Sequence, residues 1–572
     1  METHKGTAVA QGIAIGPAYV FKSIKLDALI KNKLPIADDG READRLEKAV
    51  AASIAQLTRI KEEVGQKAGA EAGDIFDSHL QILQDRGLLQ KIKTSAALEN
   101  ANIEYVLALQ IEELRGQFNT IKDELIRSRF VDVQDVYDRL LRNLLDIEHV
   151  RVNPLKRIST PVIFIAERLI PSDIALLEPD KLRGIIIEEG SRTSHVAIIA
   201  QSLGIPTLIN VPGISARART DDTVIMDGST GTVLLHPTSR ELQRYGRRQR
   251  TLARERSSAK RSQARKCLTT DGLLIRLEAN VNTAAEAKRA REMGAEGIGL
   301  LRSEFFYLFS PRMPTPDEET AFYKKTMRLM KGAPVTVRLL DIGADKAPPY
   351  LRLESEENPQ LGLRGIRWLL RNPSVLMQQL RSLLRASHDG PVRILAPFVS
   401  LAEEVRSFKD IVEAVCAREG IAGQPVKIGI MIEIPSIAYT PDAYLDLVDF
   451  VSIGTNDLVQ YMFAAHRNGR GLDEYRAGPQ PVILALLKSI AERAGQRGKE
   501  VIVCGEMAAD ARIAKLLIGL GIRILSMQPD AIPRIKRELS AVSTERMKIV
   551  AEQAIGCSTM AQVNDLLDKS LL

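Results

Sequence analysis

Eight short β-branched runs recur between residues 274 and 529, each followed by a stretch of helical character. They are LIRLEANV (274–281), GIGLLRSEF (297–305), PVTVRLLDIG (334–343), PVRILAPFV (391–399), KIGIMIEIP (427–435), DFVSIGTNDL (449–458), KEVIVCGEM (499–507) and IRILSMQP (522–529). Strands alternating with helices pair in parallel, because each helix carries the chain back to the edge where the next strand starts. Eight such units in about 300 residues match the count and size of a (β/α)8 barrel. Each run begins apolar and ends polar or charged: Arg302 and Glu304, Arg338 and Asp341, Glu433, Asn456 and Asp457, Cys504 and Glu506. A barrel gathers the carboxyl ends of its strands at one rim, where its active site lies. Ordinary loop polarity accounts for one such end, not for five in register.

The rim has a definite chemistry. Arg302, Arg338, Lys346 and Arg467 are cations aimed at it, and arginine offers planar paired donors that fit phosphate and carboxylate oxygens. A small, multiply anionic substrate explains so many cations; Arg467 taken alone also fits a surface ion pair. Glu433 and Asp457 read as a Mg2+ site completed by water and substrate oxygens. A general acid/base pair is the other reading of two carboxylates, and the surrounding cations favour the metal. Asn456 adds a neutral donor. Cys504 fits a buried core cysteine as well as a functional one; pointing into the mouth, its thiol can give a proton to a substrate carbon.

Ahead of the barrel the pattern changes three times. AVAQGIAIGPAYVF (8–21) reads as a strand pair broken by glycine. From about Asp38 to Leu145, apolar residues recur at spacings of three and four without proline, which predicts four or more helices. PVIFIA, GIIIEE, TVIMD and GTVLLH then alternate with one clear helix in a small α/β domain. The expected division is 1–25 (first strands of the α/β domain), 26–150 (helical subdomain), 151–237 (remainder of the α/β domain), 238–266 (basic linker helix) and 267–572 (barrel).

That linker dominates the charge. From Ser239 to Lys266 the chain carries a net +9, which leaves −2 of the overall +7 for the rest. The segment has almost no aromatic side chains to stack on bases, so a solvated helix is the expectation and a nucleic-acid partner is not. Cys267, Cys416, Cys504 and Cys557 lack metal or disulfide spacing and suit a reducing cytosol. No signal-peptide pattern and no membrane-length apolar run is present, so a cytoplasmic protein is expected.

Six of the seven histidines (4, 79, 149, 236, 388 and 466) read as structural or exposed. His195 differs. In EEGSRTSHVAIIAQSLGIPTLI, Gly190 and Ser191 form a turn, Ser194 caps a helix expected over 195–202, and Gly204 with Pro206 stops it. A helix N-terminus disfavours imidazolium and so keeps a neutral, nucleophilic nitrogen. The same dipole and free N–H groups stabilise a phosphoryl group once it is attached. Arg192 is placed to hold one of its oxygens.

GSRTSHVAIIAQSLGIP resembles the phosphohistidine motif of enzyme I of the phosphoenolpyruvate:sugar phosphotransferase system. The resemblance continues through GLLRSEF, VRLLDIGADKAPPY, ENPQLGLRGIR, IEIPSIA, FVSIGTNDLVQY and CGEMAAD, in the family's order over nearly the whole chain. It implies a swivelling phosphohistidine α/β domain with an inserted all-helical subdomain, followed by the barrel. It implies Mg2+-dependent transfer of the phosphoryl group of phosphoenolpyruvate to His195, then to a histidine of the carrier HPr, with release of pyruvate. Carried over, Arg302, Arg338, Lys346, Asn456, Asp457 and Arg467 match substrate contacts, Glu433 and Asp457 the metal ligands, and Cys504 the proton donor. His79, Asp85 and Arg129 match the HPr-docking face, and the family is a homodimer through the barrel. The chain departs from the pattern at Ser191 (usually glycine), at Ile170 (usually a threonine near the histidine) and at His466 (usually acidic). Dikinases and synthases that use phosphoenolpyruvate share the two domains but need an ATP-binding domain, for which the chain has neither a glycine-rich nucleotide loop nor room. A catalytically silent regulator would be expected to lose some of His195, Arg302, Arg338, Glu433 and Asp457, and all five are present.

Overall fold

The computed structural model describes residues 2–10, 12–21, 26–35, 39–68, 75–120, 124–145, 160–169, 179–190, 200, 205–262, 265–310, 312–343, 348, 350–351, 353, 356–420, 426–466, 472–476 and 478–570. They form two compact units, Met1–Ala253 and Arg254–Leu572.

The first unit holds a sheet of eight strands: β1 (Glu2–Lys5), β2 (Thr7–Ala10), β3 (Ile13–Phe21), β4 (Val162–Ala166), β5 (Leu182–Ile187), β6 (Thr207–Ile209), β7 (Thr223–Asp227) and β8 (Thr232–Leu235). Their order is β1-β8-β7-β3-β4-β5-β6-β2. The β3–β4–β5–β6 stretch is parallel, whereas β7, β8, β1 and β2 pair antiparallel. Strand β4 is buried on both faces, as central parallel strands are. Phe164 and Ala166 pack with Ile185 and Ile209 on one side, and Ile163 and Ile165 with Val224 and Met226 on the other.

Strands β3 and β4 are hydrogen-bonded neighbours, with Ala18 opposite Ile163, although more than a hundred residues separate them in sequence. The intervening chain is therefore an insertion that leaves the sheet intact. Its main helices are Asp39–Ala68, Ile75–Gln84, Arg86–Glu99, Ile103–Thr120 and Glu124–Leu144. Their apolar stripes meet in a core of Leu46, Leu57, Phe76, Leu83, Ile92 and Leu140. The basic segment is a helix, Ser239–Ser262. Its Tyr245 and Leu242 pack on Ile13, Ile225 and Leu234, and Arg248 pairs with the buried Asp227 (2.8 Å).

The second unit is the closed barrel. Strands β10 (Leu274–Val281), β11 (Ile298–Arg302), β12 (Val335–Arg338), β13 (Val392–Ala396), β14 (Lys427–Ile432), β15 (Phe450–Ile453), β16 (Glu500–Val503) and β17 (Ile524–Met527) pair in parallel, and β17 returns to β10. A two-residue strand, β9 (Cys267–Leu268), pairs antiparallel with β10. Leu300, Leu395, Met431, Phe450, Ile502 and Ile524 fill the interior with Cys504. Glu278 and Arg393, both buried, form an ion pair across it between β10 and β13. The barrel is thus a packed core that keeps its chemistry for the rim.

Candidate active site

Strand geometry places the charged residues. Arg302 and Arg338 are the last residues of β11 and β12, which run side by side with those two arginines opposite each other. Glu433 follows β14 directly, and Cys504 follows β16. Asn456 and Asp457 do not end a strand. Strand β15 stops at Ile453, and both residues lie in the first turn of the helix Thr455–Met462. The turn between strand and helix passes against Glu433: a Cβ on Gly454 would stand 2.8 Å from the Glu433 Oε2 and 3.1 Å from its Cβ, so a larger residue there would push on the Glu433 side chain.

An array of ion pairs links these ends. Arg338 bonds Glu304 and lies 3.2 Å from the Asp341 Oδ2. Arg364 grips Asp341 with two nitrogens (both 2.9 Å) and reaches the Asp457 Oδ2 (3.1 Å) and the Tyr461 hydroxyl (3.3 Å). The Phe398 N–H donates to the Glu433 Oε1 (2.7 Å). Burial disfavours the cation of Arg338, but Glu304, Asp341 and Glu433 outweigh it and raise its pKa. For Arg364 the carboxylates of Asp341, Asp457 and Glu433 likewise overcome burial. Arg302 is lowered, by burial and then by the charge of Arg338. Glu433 is held above the usual carboxylate range by burial and by the negative charges of Asp457 and Asp341. Two desolvated guanidinia side by side favour an anion between them, and a crowded carboxylate favours a cation beside it.

Cys504 is 4% exposed. Its sulfur accepts from the Ser452 hydroxyl (3.3 Å) and donates to the Ile453 carbonyl (3.4 Å). Burial raises its pKa, so the thiol keeps its proton at neutral pH. The Asn280 amide donates to the Cys504 carbonyl (2.9 Å), and the Asn456 Oδ1 accepts from the Glu506 N–H (3.0 Å), which ties the ends of β15 and β16 together.

Arg302, Arg338, Glu433, Asn456, Asp457 and Cys504 thus all lie at the carboxyl ends of barrel strands or within a few residues beyond them. Lys346, Arg467, His195, Ser191, Arg192 and Ile170 lie outside the described residues. Arg364 is not singled out by the sequence reading. Its only local signal is its place in ENPQLGLRGIR, since the loop holding it has no periodicity. Oxygen donors from Glu433 and Asp457 suit a hard divalent cation. Among the described residues no three His, Cys, Asp or Glu side chains form a metal site, so these two would need water or substrate to complete the shell.

The docking expectation needs correction at His79. Its side chain is fully buried, 3.8 Å from the equally buried Asp135 and edge-on to Phe76, because the residue falls on the apolar stripe of its helix. Asp85 is exposed and caps the helix Arg86–Glu99 by accepting from the Gly87 and Leu88 N–H groups. Arg129 lies in the helix Glu124–Leu144, with its side chain outside the described set. Among the described residues no helix is long and apolar enough to cross a membrane.

Three family models match in chain order. They are the N-terminal domain of PEP-utilising enzymes (residues 5–129), their mobile domain (158–231) and their PEP-binding domain (256–544). The phosphoenolpyruvate-protein phosphotransferase of Staphylococcus carnosus (strain TM300) is 35% identical over 99% of this chain and 98% of its own length. The protein of that name from Geobacillus stearothermophilus is 36% identical over 98% of this chain and 97% of its own. With a barrel rim of this composition, full-length identity at that level settles the family: the chain belongs to the phosphoenolpyruvate–protein phosphotransferases, enzyme I of the phosphotransferase system.

Proposed function

We propose that the chain takes the phosphoryl group of phosphoenolpyruvate onto His195, passes it to a histidine of an HPr-type carrier and releases pyruvate. This is the first step of phosphotransferase-system sugar uptake or of its regulatory branch. The observation that carries the reading is the rim array in which Arg338, Asp341, Arg364 and Asp457 are joined by ion pairs beside Arg302, Glu433 and Cys504.

Arg302 and Arg338 bind anionic oxygens of the substrate, helped by Lys346, Asn456 and Arg467. Glu433 and Asp457 would hold Mg2+, which supplies charge neutralisation on the phosphoryl and enolate oxygens. A neutral nitrogen of His195 attacks the phosphorus in line. The P–O bond to the enol oxygen breaks, and its electron pair leaves on that oxygen. The Cys504 thiol then gives its proton to the terminal carbon of the enolate, the carbonyl re-forms as pyruvate, and the thiolate recovers a proton from water. In the second half, the carrier's histidine attacks the phosphorus and His195 leaves as neutral imidazole. Donor and acceptor are read by different domains, so His195 swings between barrel and helical subdomain as a hinged body. Asp85 and Arg129 remain the residues assigned to the carrier face. A homodimer through the barrel and a cytoplasmic location complete the proposal.

The test is direct. The chain is incubated with Mg2+ and 32P-labelled phosphoenolpyruvate, and an acid-labile, base-stable label is expected that passes to added HPr-type carrier. A His195→Ala variant that still labels would place the phosphoryl group elsewhere. A label that appears only with ATP would point to dikinase chemistry.

A further inference from the structure

Phe398 stands two residues beyond β13 with a backbone φ of +58°, in the left-handed region that bulky residues seldom occupy. It is 1% exposed. A non-glycine residue persists in that region only where its surroundings over-determine it, and such residues cluster at functional sites. Here the surroundings are specific. The Phe398 N–H donates to the Glu433 Oε1 (2.7 Å). The guanidinium of Arg364 lies over its ring at 4.8 Å and that of Arg367 at 4.6 Å. Tyr461 meets the ring edge-on, with centroids 5.9 Å apart. Gly365 (φ +57°) allows the approach, since a Cβ there would stand 2.7 Å from the Phe398 Cβ. The Ile366 N–H bonds the Pro397 carbonyl (3.1 Å), so the turns after β12 and β13 interlock.

We propose that Phe398 is a positioning residue for the carboxylate pair. Its left-handed backbone aims an N–H at Glu433, and its ring is the platform that holds Arg364 across Asp341 and Asp457. An extended or helical φ at this position would turn the N–H elsewhere. A side chain without an aromatic face would leave Arg364 without the cation–π contact that fixes its plane. Arg364 engages the Asp457 Oδ2 (3.1 Å), so fixing the guanidinium plane fixes the orientation of the Asp457 carboxylate. The sequence motif PVRILAPFV carried only the strand, and the turn residue at its end goes unused in the mechanism above.

The inference rests on the reading that Glu433 and Asp457 hold a divalent cation, and the experiment separates the two. Binding of Mn2+ alone to the full chain is measured by electron paramagnetic resonance for the parent and for Phe398→Leu, Phe398→Met and Phe398→Tyr. Steady-state kcat and KM for phosphoenolpyruvate are measured alongside, and circular dichroism and melting report the fold. Two ring-less variants are included so that if one misfolds the other is still read. The expected result is a loss of about tenfold or more in Mn2+ affinity for Leu and Met. Their kcat should fall while KM for phosphoenolpyruvate stays within about threefold, and Tyr should match the parent. A folded Leu or Met variant with the parent's Mn2+ affinity and kcat overturns the role of Phe398. Glu433→Gln and Asp457→Asn are controls for the underlying reading: if both bind Mn2+ like the parent, the metal site itself is wrong, whatever Phe398 does.

Discussion

At Cys504 the barrel interior replaces water with Leu300, Leu395 and Met431, and that exchange disfavours the thiolate. The sequence leaves this residue open between core cysteine and proton donor, and the fold makes the two compatible. Burial lets this thiol hold its proton where a free one near pH 8.5 would lose it, against the smaller opposing effect of the Ser452 hydroxyl, which donates to the sulfur. The sign follows: with the folded pKa raised, any activity that needs the proton on Cys504 persists through the ordinary thiol range and declines only above it. Cys504→Ala is expected to lower kcat for pyruvate formation by about 10²–10⁴-fold with little change in KM. The basic limb set by the thiol should vanish from the variant's pH–rate profile. An unchanged kcat would return Cys504 to a packing role. Arg364 is the opposite case. Its partners Asp341 and Asp457 lie 23 and 93 residues away, and a pairing that depends on closing a barrel leaves no local trace in sequence.

The eight barrel strands were legible element by element, because β-branched runs bounded by helical stretches report burial on both faces. The contacts between elements were not legible. Gln379, on the helix Pro373–Ala386, is fully buried. Its carbonyl accepts from the Leu340 N–H (3.0 Å), and its amide donates to the Ser303 hydroxyl (2.9 Å) and the Tyr323 hydroxyl (3.0 Å). The Ser303 hydroxyl in turn donates to the Arg338 carbonyl (2.7 Å). Behind Tyr323 stands Glu319, which accepts from both Tyr323 (3.0 Å) and Tyr307 (2.7 Å). One helix side chain thus staples the ends of β11 and β12, and with them Arg302, Glu304 and Arg338. Gln379→Leu strands the Leu340 N–H in a dry interior and takes one donor each from the Ser303 and Tyr323 hydroxyls, which keep their bonds to the Arg338 carbonyl and Glu319. The expected cost is about 3 kcal/mol, seen as a fall of roughly 5–10 °C in the melting of the barrel. A melting temperature within about 1 °C of the parent would mean that water or a neighbour replaces the staple.

At the scale of the whole molecule, the sequence marked a change of architecture after the basic segment. The compact units part at Ala253, inside the helix Ser239–Ser262 rather than beyond it, because Tyr245 and Arg248 bind the first half of that helix to the sheet. The helical insertion lies in the first unit with the strands that flank His195, and the rim array lies in the second. If His195 serves both half-reactions but only one uses the rim, a rim substitution separates them. Arg338→Met leaves Glu304 and Asp341 without their shared cation and, on the proposed function, removes a substrate contact. Labelling by 32P-phosphoenolpyruvate should then fall by at least about 10³-fold. On the proposed function, transfer from phosphorylated HPr-type carrier back to His195 makes no use of the rim and should run within about threefold of the parent rate. On the same reading, His195→Ala should abolish both directions. A folded Arg338→Met chain that loses both equally would show that carrier and phosphoenolpyruvate meet His195 in one place, and the swing of the histidine between two docking sites would then have no role.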